Sequence, residues 1–184
     1  MSPTFGAALW TMDYSLRATY SNMSRTYFHH GTVGNCQYCF WGRYSMGAPY
    51  YGATAAVALM AGASHLTALD TGKTPYAAYV AFDSSGAPLR VLLYNSEFYA
   101  EIGTRASQSF VLTGLKGASV RAKRLTAPSA KSRVDQGATI SFGGQVFGNG
   151  TCIVSGAESF ETTEVTDGSA TLSVKASEAL LVYL

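Results

Sequence analysis

The 184-residue chain is 47% hydrophobic and only 13% charged, which is enough apolar material for one good core or two small ones and too much for a disordered segment. Its formal net charge of +2 is too weak to mark nucleic acid or an anionic membrane as a partner. The most apolar run, 53–63, falls far short of the roughly 20 residues that span a bilayer, so no membrane-crossing helix is expected.

Met1 is followed directly by Ser2 and Pro3, without the charged and then apolar stretch of a secretory signal. Ser2 with Pro3 reads as a helix start, a capping hydroxyl followed by a proline whose missing N–H costs nothing there. Phe5, Leu9, Met12, Leu16 and Tyr20 then recur on one helical face. Asp13 and Arg17 form an i,i+4 pair off that face, the expected solvated side.

A short β-type run, Arg25 to Phe28, leads into a long loop reaching Gly52, rich in rings and glycines and free of acids. Ordering such a loop costs backbone entropy at every residue, so a compact domain keeps one for a use. Flat rings bind the apolar faces of sugars, while tyrosine hydroxyls and an arginine can hold hydroxyls or a uronate carboxylate. Tyr27, His29, Tyr38, Trp41 and Arg43 are therefore candidate saccharide-binding residues at the rim of a cleft. A loop that packs its own aromatics as a local core explains the same composition equally well. His29 also reads as a hydrogen-bonding residue at a strand end, and no Gly-x-Ser-x-Gly elbow accompanies it as a nucleophile would require.

A second helix is predicted from Pro49 to Ala61, apolar all round and hence buried, with Gly62 at its C-terminal stop. Helix, strand, long loop and helix make one turn of a β/α repeat, a class that keeps its active sites on the loops after strands. Beyond residue 63 the pattern becomes short strands between turns. Tyr76–Asp83 and Leu89–Tyr94 are joined by Ser84-Ser85-Gly86, and Ser107–Thr113, Ser119–Leu125, Ala170–Lys175 and Ala179–Leu184 follow. This predicts an antiparallel β-sandwich over 64–184, preceded by a helix-strand-helix fragment over 1–63 that is too small to bury its own apolar helices.

Glycosidic hydrolysis ordinarily uses two carboxylates flanking the sugar, about 5 Å apart for retention. Within 1–63 the single acid is Asp13, so that machinery is not expected in this chain. The sandwich acids Glu97, Glu101, Glu158, Glu161 and Glu164 read as solvated surface. The segment 103–134 carries Arg105, Lys116, Arg121, Lys123, Arg124, Lys131 and Arg133 without an acid. It could attract an anionic polysaccharide, but the alternation of Arg121 and Lys123 favours an ordinary outward strand face.

Cys36, Cys39 and Cys152 leave one cysteine unpaired in any scheme. The Cys36–Cys39 spacing lacks a second pair for a metal, so a disulfide between two of the three or buried thiols is expected, and neither metal nor cofactor. Asn22-Met23-Ser24 and Asn149-Gly150-Thr151 are glycosylation sequons, which matter only in a secreted protein.

The runs FGAALWTMDYSLRATY, YFHHGTVGNCQYCFWG, APYYGA, RVLLYNSEFY, VRAKRLTAPSAKSRVDQG, FETTEV and SEALLVYL resemble, in order and over nearly the whole chain, the C-terminal part of fungal secreted β-glucuronidases of glycoside hydrolase family 79, relatives of heparanase. The resemblance implies a (β/α)8 barrel followed by a β-sandwich, with 1–63 as the last helix-strand-helix of the barrel and 64–184 as the sandwich. It implies a retaining mechanism whose two glutamates lie on barrel strands before Met1, so no residue here inherits either role. It further implies a glucuronate-containing saccharide as substrate, the rest of the barrel as partner, an extracellular location, and a tyrosine between Tyr27 and Tyr44 lining the carboxylate subsite. The alternative is a non-catalytic sandwich module that holds acidic glycans.

Overall fold

The computed structural model describes residues 3–28, 46–148, 151 and 153–184. Two helices come first, α1 (Phe5–Tyr20) and α2 (Pro49–Met60). They are followed by β1 (His65–Ala68), β2 (Tyr76–Phe82), β3 (Pro88–Asn95), β4 (Ser107–Thr113), β5 (Ser119–Thr126), β6 (Ser141–Phe142), β7 (Val146–Phe147), β8 (Val154–Ser155), β9 (Glu161–Glu164), β10 (Ser169–Lys175) and β11 (Glu178–Tyr183). The main sheet runs β1-β2-β3-β11-β5-β6, with β9 also pairing β5, while β4 and β10 form a two-stranded ribbon and β7 and β8 a small hairpin. Every pairing is antiparallel, and β11 lies at the centre with Ala179 opposite Tyr94 on one side and Leu125 on the other.

Both faces of the main sheet are covered. Tyr79 and Ala81 of β2, Leu92 and Tyr94 of β3, Leu125 of β5 and Ala179 and Leu181 of β11 join one core with Phe5, Leu9, Met12 and Leu16 of α1 and Tyr51, Ala55 and Leu59 of α2. Their sequence neighbours Val80, Val91, Leu93, Val120, Ala122, Leu180 and Val182 point the other way, into a second core with Ala170, Leu172 and Val174 of the ribbon. Side chains alternate across a strand, so a strand covered on both sides must be apolar at consecutive positions. That is why YAAYVAF and ALLVY read as unbroken apolar runs, whereas Thr171, Ser173 and Lys175 of the outer strand β10 are exposed between buried partners.

Four expectations are corrected. The first helix begins at Phe5 with Thr4 at its N-cap, and its leading amides are satisfied from the sandwich: Phe5 N–H donates to the Ser132 carbonyl at 2.8 Å and Gly6 N–H to Ala130 at 2.8 Å. Tyr20, in the last position of α1, is half-exposed at the end of the apolar face and outside the buried set of the helix. α2 is buried on one stripe only; Val57 stands 69% exposed, since α1 and the sheet cover two sides and no described element covers the third. Arg25–Phe28 has no regular structure, because a strand needs a hydrogen-bonded neighbour and none lies beside it among the described residues. Gly62 adopts φ +71°, the left-handed geometry expected just past a helix end.

Candidate functional site

Where α1 crosses the edge of the sheet, the helix and strands bring together groups far apart in the chain. Arg17, near the end of α1, bonds Asp70 in the turn after β1 and lies 3.9 Å from Asp13 one helical turn earlier. Asp13 also accepts a hydrogen bond from the Tyr79 hydroxyl on β2, and the Arg17 guanidinium lies 4.9 Å from the Tyr79 ring centroid. The expected solvated pair is therefore the polar seam between helix and sheet. Beside it opens a cleft of about 240 Å³, lined by Trp10, Asp13, Arg17, Tyr76, Tyr94 and Ser96 among others. At its mouth the Trp10 and Tyr14 rings stack with centroids 5.2 Å apart, and Phe28 meets both edge-on at 5.9 and 5.8 Å.

The electrostatics of the seam favour fixed charges. Burial pushes the Asp70 carboxyl up, but Arg17 and the amides of Gly72 and Ala78 outweigh it and hold the group below its usual range. Burial likewise lowers Arg17, and Asp70 more than compensates. Burial and the Asp13 carboxylate keep the Tyr79 hydroxyl protonated far above its usual range, so it acts as a standing donor. Burial and the same carboxylate raise Tyr94. Such a network orients and locks side chains.

All eleven carboxylates of the sequence lie in the described residues. Asp83 is bound within the hairpin turn by Ser85 and Ala87, Glu97 accepts from Tyr76 at 2.9 Å, Asp135 pairs with Arg133, and Glu158 with Lys123. Glu161 and Glu178 both bind Arg124, the first by two bonds of 2.6 Å and the second at 2.7 Å. Glu101, Glu164 and Asp167 are exposed. The two places where acids cluster, Asp13 with Asp70 and Glu161 with Glu178, are each bridged by an arginine, which suits structural ion pairs and not an acid–nucleophile pair.

Four cations of the basic segment are paired in the same way. Arg105 donates to the carbonyls of Ala176, Ala127 and Ser177 and approaches Glu178 at 3.3 Å, while Lys123, Arg124 and Arg133 have the partners just named. Arg121 lies over the Phe160 ring at 4.6 Å. These cations face acids, carbonyls and rings of their own fold, while Lys116 and Lys131 are exposed, so most of the segment's charge is committed within the fold.

Of the predicted saccharide-binding residues, Tyr27 is 81% exposed beside the aromatic trio. His29, Tyr38, Trp41 and Arg43 lie outside the described residues, as do Cys36, Cys39, Cys152 and Asn149. Asn22 is exposed in the turn after α1. Among the described residues there is no group of three or more His, Cys, Asp or Glu that could hold a metal, and no helix long and apolar enough to cross a membrane. Asp70 and Tyr79 carried no signal in the sequence, since their partners are 53 and 66 residues away, but Trp10 and Tyr14, one helical turn apart on α1, were a visible sign of a second apolar stripe.

Comparison with known proteins agrees with this architecture. The crystal structure of a 4-O-α-L-rhamnosyl-β-D-glucuronidase from Fusarium oxysporum 12S, in complex with Rha-GlcA, is 51% identical and superposes with a TM-score of 0.93 over 100% of this chain and 40% of that one. A β-glucuronidase of Aspergillus niger is 37% identical over 93 residues, 44% of this chain and 17% of its own length, and one of Neurospora crassa is 34% identical over 119 residues, 54% and 21%. An arabinose-bound GH51 α-L-arabinofuranosidase, with 12% identity and a TM-score of 0.57 over 98% of this chain and 27% of that one, shares the fold alone. The chain thus spans two fifths of the solved relative and about a fifth of the curated ones. The sequence profile of the glycosyl hydrolase family 79 C-terminal beta domain matches residues 76–181, more than half of the chain, and the protein belongs to that family.

Proposed function

We propose that this chain is the C-terminal portion of a retaining β-glucuronidase-type glycoside hydrolase, secreted, acting on a glucuronate-containing saccharide, and inactive by itself because its two catalytic glutamates lie on an N-terminal barrel. The observation that carries the reading is the 51% identity, over the whole of this chain, to a fungal glucuronidase of which it spans 40%. The arrangement of acids supports the second half: every clustered carboxylate is committed to an arginine of the same fold.

The helix layer supports a division into a barrel fragment, 1–63, and a sandwich, 64–184. Gly52 in the first turn of α2 meets Ala8 in the first turn of α1, so the N-terminal turns of the two helices lie together. The chain thus leaves α1 at one end and enters α2 beside the other, roughly 24 Å away, as successive helices of β/α units do. The outward sides of the helices expose Trp10, Tyr14 and Val57, the apolar surface that further barrel strands would cover.

The test is hydrolysis of a chromogenic β-glucuronide by the purified chain and by the same chain fused behind a family 79 barrel that carries both glutamates. Turnover is expected from the fusion and absent from the chain alone. Turnover by the chain alone, surviving repurification, would refute the assignment of the catalytic groups to the barrel, and a folded fusion without turnover would refute the glucuronidase reading.

A further inference from the structure

The turn that ends α1 carries a feature the hydrolase reading does not use. Ser21 N–H donates to the Arg17 carbonyl at 2.9 Å, Asn22 N–H to Thr19 at 3.0 Å and Met23 N–H to Ala18 at 2.9 Å, closing the helix with Asn22 at φ +61°. Asparagine tolerates the left-handed region better than most residues, so the helix stop by itself explains why Asn22 is there. It does not explain the surroundings. Residues 21–25 are all exposed, and among the described residues neither the Asn22 amide nor the Ser24 hydroxyl has a hydrogen-bond partner. Two residues before Asn22, the Tyr20 ring stands half-exposed, and Met23, one residue after Asn22, is 58% exposed. An exposed ring two residues before the asparagine of an exposed Asn-x-Ser tripeptide offers both an acceptor for a glycan and a flat surface within reach of its first sugar.

We infer that Asn22 is an N-glycosylation site whose first N-acetylglucosamine stacks on Tyr20. In the transfer, a lipid-linked oligosaccharide diphosphate is the donor. The bond from sugar C1 to the diphosphate oxygen breaks, C1 bonds to Nδ2 of Asn22, and the amide nitrogen gives up one proton. The product amide keeps its carbonyl and one N–H, and the backbone hydrogen bonds that close α1 are untouched, since they use main-chain amides only. The glycan shields Tyr20 and Met23, the two apolar side chains that the end of α1 leaves in water.

The test is expression of the whole chain behind a yeast secretion signal, with cells and medium pooled so that retained protein is also scored. Asn149→Gln is introduced to leave 22 as the one sequon. Endoglycosidase is expected to sharpen the band to lower mass, and peptide-N-glycosidase to convert residue 22 to aspartate in the tryptic peptide 18–25. Ser24→Ala, which removes the sequon but keeps the helix stop, is expected to abolish both. Enzymatic removal of the glycan is expected to lower the melting midpoint by about 2–4 °C, and Tyr20→Ala to erase that difference. An unmodified residue 22 in the Asn149→Gln chain would overturn the site, and an equal glycan effect in Tyr20→Ala would overturn the stacking.

Discussion

The helix pair offers a sharp test of the fold that the site depends on. A Cβ built on Gly52 would sit 1.9 Å from the Ala8 carbonyl oxygen and 2.7 Å from its carbon, both backbone atoms that no rotamer can move aside. Restoring even the 3.0 Å limit of real contacts requires α1 and α2 to separate by at least 1.1 Å, the difference between 3.0 and 1.9. That separation opens the core in which Met12, Leu16, Tyr51 and Ala55 are fully buried. Overpacking of this kind costs about 3 kcal/mol, at the upper end of the usual range because backbone meets backbone. Alanine's better helix propensity offsets about 1 kcal/mol, leaving a net loss of about 2 kcal/mol and a drop of roughly 4–8 °C in melting midpoint for a chain of this size. Thermal unfolding of Gly52→Ala, followed by circular dichroism, measures it. Val57→Ala on the exposed side of the same helix is the control and should stay within about 0.5 kcal/mol of wild type. A Gly52→Ala midpoint equal to or above wild type would refute the close crossing of the two N-terminal turns.

Glu178, 5% exposed between Arg124 and Arg105 and bonded by Thr126 at 2.7 Å, should cost about 3–5 kcal/mol when changed to Gln, because two guanidinium groups lose a buried counter-charge. Glu161→Gln, at the exposed end of the same cluster, should cost no more than about 1 kcal/mol, and equal losses in denaturant titrations would contradict the assigned burial. Asp70 has a folded pKa below its ordinary value near 3.8, so its contribution is complete above that value and is lost as pH falls through the lower folded one. Acid unfolding of Asp70→Asn should consequently start from a lower stability at neutral pH and decline less between pH about 4 and 2, and parallel curves for variant and wild type would show that Arg17 does not hold the carboxyl down. Val57→Lys should reduce association of the isolated chain in sedimentation experiments without lowering its melting midpoint, whereas unchanged association would show that the outward face of α2 is not sticky.

The amino-acid pattern determined the two helices, the six longer strands and the class of the fold, because each is a local signal: Phe5, Leu9, Met12 and Leu16 at helical spacing, and Leu172 and Val174 alternating with Thr171, Ser173 and Lys175. Family membership was readable for the same reason, as blocks of residues in order. The strands β1 and β6 to β9 carry no such signal, because four residues or fewer leave no period to read. Only the tertiary structure decided what the charged residues do. Asp13 reads in the sequence as half of a surface pair, but β2 and the turn after β1 bring Tyr79 against it and Asp70 against its partner Arg17, and Arg124 reads as part of an outward strand face, but β9 and β11 supply Glu161 and Glu178 to it. Periodicity is written within one element, whereas a charge takes its role from whichever distant element folds beside it, and that pairing appears nowhere in the local sequence.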